Sequence, residues 1–214
     1  MVKVTHPVIN PGKRAIVAGR TGSGKSTLAK WMLQVSPGHW VIINPKNTAA
    51  YNSLPDSLNI DGIDLKKIAK SIEEHRFTIV TPKANQLQPE TLDLLINWLH
   101  SDYTNLGICV DELYAVHKNG VAGEGLIGLL TRGRELKQSF FGLTQRPAWL
   151  SKFLFSESDY IGGMALNLVD DRKRMFDFTG KKAFLEKLPE RDWLWYDVAA
   201  DNLRAFNPVP LTEK

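Results

Sequence analysis

The chain has 214 residues, 43% of them hydrophobic and 23% charged, with a formal net charge of +4. This composition excludes a disordered or collagen-like chain and suffices for one domain built on a well-buried sheet. The modest basic excess is compatible with a polyanionic partner and decides nothing alone. The single cysteine, Cys109, sits in an apolar run and has no intrachain partner, so it reads as a small core residue in a reducing compartment. Met1–Pro7 lacks the apolar region of a secretory signal. No apolar stretch approaches the ~20 residues that span a bilayer, so no membrane insertion is expected of this chain. The five histidines are scattered without metal-ligand spacing, and no zinc site is expected.

In chain order, residues 1–12, with Pro7, Pro11 and Gly12, read as an extended arm before one domain over 13–214. A short buried strand is predicted at Arg14–Ala18 and a helix from Lys25 to about Val35, with a second strand at Trp40–Ile43. Asn47–Asp64 is polar and turn-rich. A helix follows at Leu65–Glu74, then a strand at Phe77–Val80. Pro89 opens an amphipathic helix to about His100, on which Leu92, Leu95, Ile96 and Leu99 share one face. Strands are predicted at Leu106–Glu112, Ser139–Thr144 and Tyr160–Met164, with a helix around Gly125–Lys137 and another near Asp170–Phe178. Trp193–Tyr196 and Leu203–Phe206 close the chain. Strand–helix alternation predicts an α/β fold with a mostly parallel central sheet flanked by helices.

Between the first strand and first helix lies Gly19-Arg20-Thr21-Gly22-Ser23-Gly24-Lys25-Ser26, followed by Thr27. The run fits the phosphate-binding P-loop, G-x-x-x-x-G-K-[ST]. Its glycines let successive backbone N–H groups turn inward as a nest for phosphate oxygens. Lys25 is placed to reach the β- and γ-phosphates of ATP and Ser26 to ligate Mg²⁺, while the helix N-terminus adds its positive dipole end. Asp111, ending an apolar strand, sits where a second Mg²⁺ ligand is needed. Glu112 beside it can polarise a water for attack on the γ-phosphate. Gln145, after the Ser139–Thr144 strand, reads equally as a group beside the γ-phosphate or as part of a strand-ending turn.

Taken together these stretches resemble the FtsK–HerA superfamily of ring-forming, DNA-pumping P-loop ATPases. Ile42-Ile43-Asn44-Pro45-Lys46 resembles a family strand that usually ends in Asp-Pro-Lys, from which Asn44 departs. Val110-Asp111-Glu112 matches the metal-and-base pair. Arg132-Gly133-Arg134, a strand and Thr144-Gln145-Arg146-Pro147 resemble the arginine-helix, strand and sensor-glutamine arrangement. The resemblance spans about residues 13–165 and implies a RecA/FtsK-like core. It implies Gln145 as sensor, Arg134 as first choice for an arginine finger inserted into a neighbouring subunit, and Arg132 as second. The lack of added domains makes the chain look most like the genome-packaging ATPases of tailless viruses with double-jelly-roll capsids.

That resemblance implies an ATPase that moves double-stranded DNA without reading sequence, in a ring expected to be hexameric. Capsid or portal-vertex proteins are its expected partners. The host cytoplasm is the expected location, with retention at a packaging vertex left open. The loop His117–Gly123, directly after the metal strand, is the candidate inner rim, with His117, Lys118 and Asn119 as backbone contacts; an ordinary flexible loop fits it equally well. Arg172–Arg174 and Lys181–Lys182 read as solvated faces, and the six tryptophans as core or interface anchors, Trp193 and Trp195 with a neighbouring subunit as a conceivable cover. Conjugation- or filament-assembly ATPases, a small-molecule kinase and a non-hydrolysing regulatory module are the alternatives.

Overall fold

Short runs of β-branched and aromatic residues bounded by Gly, Pro and Asn form the strands, and i, i+3, i+4 apolar spacing forms the helices between them. The computed structural model describes residues 6–118 and 120–209. The first half of the chain holds β1 (Arg14–Ala18), α1 (Lys25–Val35), β2 (His39–Ile43), β3 (Ser57–Asp61), α2 (Leu65–Glu74), β4 (Phe77–Thr81) and α3 (Pro89–Asp102). Then come β5 (Leu106–Asp111), a two-residue hairpin of β6 (His117–Lys118) and β7 (Val121–Ala122), α4 (Glu124–Arg132) and β8 (Ser139–Thr144). The chain closes through α5 (Lys152–Ser156), β9 (Tyr160–Gly163), α6 (Val169–Thr179), β10 (Trp193–Asp197) and β11 (Asn202–Phe206).

Nine strands pair in the order β11-β10-β9-β1-β8-β5-β2-β4-β3. From β9 to β3 all neighbours are parallel, and β10 and β11 add an antiparallel edge. Alternate residues of each strand enter opposite layers. Ile16, Ile108 and Val110 pack into one cluster with the α3 and α4 residues Leu95, Ile96, Leu126 and Leu129. Ala15, Val17 and Cys109 pack into the other with Leu28, Met32 and Trp40. Because both faces are covered, β1, β5 and β8 are buried along their whole length, which is why they read as unbroken apolar runs.

Four readings are corrected. The turn-rich stretch contains β3, an edge strand in which Ile60 alone is buried. The predicted loop 117–123 is the β6–β7 hairpin, paired His117 to Ala122. The helix expected to reach Lys137 stops at Arg132, so Arg134 lies beyond it in a turn held by Gln138 N–H to the Gly133 carbonyl at 2.8 Å. Trp193 and Trp195 are buried within the chain, Trp193 stacked on Phe206 at 4.3 Å and Trp195 on Tyr160 at 5.2 Å. They need no neighbouring subunit to cover them. The described part of the arm is tucked in as well: Ile9 is fully buried and its N–H donates to the Ser36 hydroxyl at 2.9 Å.

At the amino edge of the sheet, Asp159 gathers three cations. It accepts from Lys13 Nζ at 3.0 Å, from the Arg14 backbone N–H at 2.9 Å and Nε at 3.2 Å, and from Arg134 Nη2 at 2.9 Å. Burial alone would raise this carboxyl, but the Lys13 ammonium and the Arg14 backbone and guanidinium outweigh it and hold it below the usual range. A carboxyl depressed in the folded state stabilises above its unfolded pKa of ~3.9, and the contribution is lost as pH falls through the folded value. Asp159→Asn is therefore expected to lower stability at pH 7 by about 1–3 kcal/mol. Urea denaturation at a series of pH values should show the gap from wild type closing below pH ~4; a gap that stays constant refutes the assignment.

Candidate functional site

Parallel strands in register bring four chain segments out of the sheet together. Ala18 pairs with Thr144, Asp111 with Leu143 and Ile43 with Val110. The residues that follow these strand ends line one cleft of about 730 Å³, among them Lys25, Ser26, Lys46, Glu112 and Gln145. That volume suits a bound small molecule. The placement is the carboxyl edge of an open α/β sheet, where ligands of such folds bind.

The phosphate loop is shaped by its glycines. Gly22 and Gly24 have φ of 79° and 94°, a region that costs a side-chain residue dearly. At Gly19 a Cβ would meet the Ser23 hydroxyl at 2.7 Å and Met164 Cβ at 2.9 Å. The loop root is stitched down by Gly19 N–H to the Thr144 carbonyl at 3.0 Å and Arg20 N–H to the Ala165 carbonyl at 2.8 Å. Gly24 gives α1 no side-chain cap, so the first N–H groups of the helix remain for an anion. Lys25 is buried and donates to the Arg20 carbonyl at 3.2 Å. Burial lowers its pKa to about 8, with Glu112 and Asp111 pulling the other way. Thr27 lines the cleft, while Arg20 turns to Glu190 at 3.1 Å.

The acidic side is more elaborate than the sequence suggested. Asp111 is 5% exposed and accepts from Thr48 Oγ1 at 2.8 Å. Burial raises its carboxyl above the ordinary range, opposed by the Thr48 hydroxyl, Lys46 and Lys25. Glu112 leaves the strand at φ 111°, ψ 88°, a conformation that side-chain residues hold only under constraint and that concentrates at functional sites. Lys46 donates to its carboxylate. Asn44, fully buried, accepts from Thr48 N–H at 2.8 Å and donates to the Thr48 carbonyl at 3.2 Å. An aspartate could make only the first bond, so the departure at Asn44 closes the Pro45–Thr48 turn that offers Lys46 and Thr48 to the two acids. Tyr51, also fully buried, has its hydroxyl beside Ser26 and Asp111. Burial, then Cys109 and Asp111, hold that phenol well above its usual range.

Among the described residues no cluster of three or more His, Cys, Asp or Glu could hold a metal. Ser26 and Asp111 instead offer one hydroxyl and one carboxylate in the same cleft. Hard oxygen donors, few in number and next to a phosphate nest, fit Mg²⁺, which takes most of its remaining ligands from water and substrate phosphates. These two residues would hold it.

The Thr21 hydroxyl donates to Gln145 Oε1 at 2.6 Å, tying Gln145 to the phosphate loop. Leu113, next to Glu112, packs so tightly on β8 that a Cβ at Gly142 would lie 2.6 Å from it. Downstream the hairpin closes back on the segment that follows Gln145, His117 Nε2 accepting from Ser151 N–H at 3.3 Å. His117 is 2% exposed, so the reading of it as a DNA contact is withdrawn: its ring is inside. Asn119 and the Lys118 side chain lie outside the described residues. What is exposed here is an aromatic pair. Tyr114 and Trp149, each about half exposed, stand 5.3 Å apart, and the Arg146 guanidinium lies 4.0 Å over the Trp149 ring. Trp149 is thus no core anchor.

Arg132 and Arg134 are exposed and do not line this cleft. The other basic clusters are largely occupied within the chain. Arg172 donates to the carbonyls of Leu166, Asn167 and Leu185, Arg174 to that of Ala148, and Lys181 pairs with Asp201 at 2.8 Å. Sequence reasoning gave no role to Lys46, Thr48 or Tyr51. It also missed the far wall of the cleft, where Arg191, Trp193, Pro208 and Val209 join Met164. The one available signal was the turn chemistry of Asn44-Pro45 ahead of Thr48.

No family model matches the chain. It is 28% identical to the DNA packaging ATPase P9 of Enterobacteria phage PRD1, over 95% of this chain and 90% of that protein. Its fold matches the genome packaging NTPase B204 of Sulfolobus turreted icosahedral virus 2, solved with ATP-gammaS. That match has a TM-score of 0.76 at 18% identity, covering 94% of this chain and all of the other. VirB4 of Thermoanaerobacter pseudethanolicus matches with a TM-score of 0.69 at 11% identity, over 93% of this chain and 90% of the other. In sequence the chain is similar to a phage DNA packaging ATPase, and its fold is that of a viral genome packaging NTPase and of VirB4.

Proposed function

We propose that the chain is the ATP-hydrolysing subunit of a ring that drives double-stranded DNA into a viral capsid during assembly in the host cytoplasm, docked on capsid or portal-vertex proteins. The bond from Thr21 to Gln145 carries this reading. It joins the phosphate loop to a strand end that leads into Arg146, paired with Asp171 at 3.1 Å, and into the exposed Trp149, which stands against the exposed Tyr114. ATP phosphates would sit on the loop N–H groups with Lys25 at the β- and γ-phosphates. Mg²⁺, when bound, neutralises charge on those oxygens. Glu112 would take the proton of a water as that water attacks the γ-phosphorus and the bond to the bridging oxygen breaks, giving ADP and phosphate. The Gln145 amide would hold that water. Arg134 would act on a neighbouring subunit's nucleotide.

Loss of the γ-phosphate would be felt on two routes that meet outside the cleft. One runs from Glu112 through Leu113 to Tyr114 and the hairpin, the other from Gln145 through Arg146 to Trp149, and the His117–Ser151 bond links them. An arginine stacked on a half-exposed tryptophan can touch a DNA backbone without reading bases. ATPase rate with and without long duplex DNA, alongside phosphate transfer to small acceptors, tests the proposal. Duplex stimulation without an acceptor is expected, and acceptor-dependent transfer would overturn it. Trp149→Ala is expected to raise the DNA concentration for half-maximal stimulation by about 2- to 5-fold, the equivalent of an exposed cation–π contact. An unshifted curve removes the aromatic pair from the DNA path.

A further inference from the structure

Tyr51 is an anomaly in the core. Its ring belongs to the apolar layer under α1 with Leu28, Met32 and Ile42, and the residue has no exposed surface. Its hydroxyl nevertheless makes no hydrogen bond of ordinary geometry among the described residues. Buried polar atoms are nearly always paired, and phenylalanine would fill the same volume without an orphaned O–H. The hydroxyl is not lost in hydrocarbon, however. It lies beside the Ser26 hydroxyl and the Asp111 carboxylate, the two side chains that fit Mg²⁺. One Asp111 oxygen, Oδ2, is already taken by Thr48. The backbone places Tyr51 there deliberately, in the short helical turn Ala49–Ser53 that follows the Asn44–Thr48 clamp.

We propose that Tyr51 is a positioning residue of the metal site, its hydroxyl serving as the outer hydrogen-bonding partner of Ser26 and Asp111 when Mg²⁺·nucleotide is bound. A phenol can donate and accept at once, so it can orient a carboxylate and a hydroxyl, or a water shared with them, without competing as a ligand. Such outer partners fix the direction of the ligands they touch, and removing one typically weakens metal binding about 10- to 100-fold. The inference rests on the assignment of Ser26 and Asp111 as the metal pair.

The test is Tyr51→Phe in the full chain, read by Mn²⁺ affinity with a non-hydrolysable ATP analogue, using electron paramagnetic resonance to count free Mn²⁺. The same variant is melted without metal or nucleotide. Mn²⁺ affinity should fall about 10-fold or more while the ligand-free melting temperature holds or rises. Affinity unchanged from wild type overturns the proposal, as does a lower ligand-free melting temperature with affinity intact, which makes Tyr51 a packing residue. Asp111→Asn serves as the control. If it leaves Mn²⁺ affinity unchanged, the metal pair itself is misassigned, a failure distinct from that of Tyr51.

Discussion

Replacing Glu112 with glutamine is expected to lower ATP turnover about 10²–10⁴-fold, the usual contribution of a positioned general base. Nucleotide binding is expected to stay near wild type. The amide has the shape of the carboxylate and keeps an oxygen for Lys46, so the Lys46 contact and the turn at φ 111° can both persist. What it loses is the capacity to take a proton from water. The groups that would bind phosphate, Lys25 and the loop N–H groups, lie on a different segment and are untouched. Steady-state phosphate release and titration with a fluorescent ATP analogue separate the two effects. Turnover within about threefold of wild type would remove Glu112 as the base, because an effect that small is below what proton transfer supplies. Weakened binding with turnover per bound nucleotide intact would instead make it a structural partner of Lys46.

Much of this site was legible because its parts are local. The phosphate loop declares itself by glycine spacing between a strand and a helix, and Asp111-Glu112 by its place at the end of an apolar run. Both depend only on neighbours in the chain. Lys46, Thr48 and Tyr51 depend on β2 lying beside β5, and 62 residues of intervening sequence say nothing of that adjacency. Arg191 and Pro208 reach the cleft only through the antiparallel edge, which strand–helix alternation cannot foresee. β3 was hidden because an edge strand needs little apolar surface: of Ser57–Asp61 only Ile60 is buried. The early end of α4 had a signal that was passed over, Gly133 at the residue after Arg132. Beyond it a tertiary clamp takes over, in which the Gln138 amide donates to the Tyr103 carbonyl at 2.6 Å and its oxygen meets His100. His117 read as a surface contact because its burial comes from the hairpin pairing and from Ser151, neither of which is visible locally.

Arg134 poses the second test, and its position narrows what the residue can do. It pairs with Asp159 just before β9 and abuts Gly12 just before β1, at the amino edge of the sheet. Lys25 and Glu112 lie at the carboxyl edge, a strand of five residues away, or ~17 Å at 3.3 Å per residue. An arginine side chain does not cover that distance, so Arg134 cannot serve its own nucleotide. If it is catalytic at all, it acts on another copy. Leaving Asp159 costs little, because Arg134 is 55% exposed and Lys13 and Arg14 remain on the carboxylate. Arg134→Ala is therefore expected to fold normally yet turn over about 10³–10⁵-fold more slowly, the range for losing an arginine finger. Mixing it with Glu112→Gln distinguishes help from a neighbour from damage within the chain. The first variant retains an intact cleft without a finger to give, and the second retains a finger beside a dead cleft. Where an Arg134→Ala cleft faces a Glu112→Gln neighbour, all parts are present, and the mixture should exceed either variant alone. A mixture no faster than the mean of its components denies the exchange between copies. Normal turnover in Arg134→Ala alone passes the role to Arg132, which the same pairing experiment can then examine.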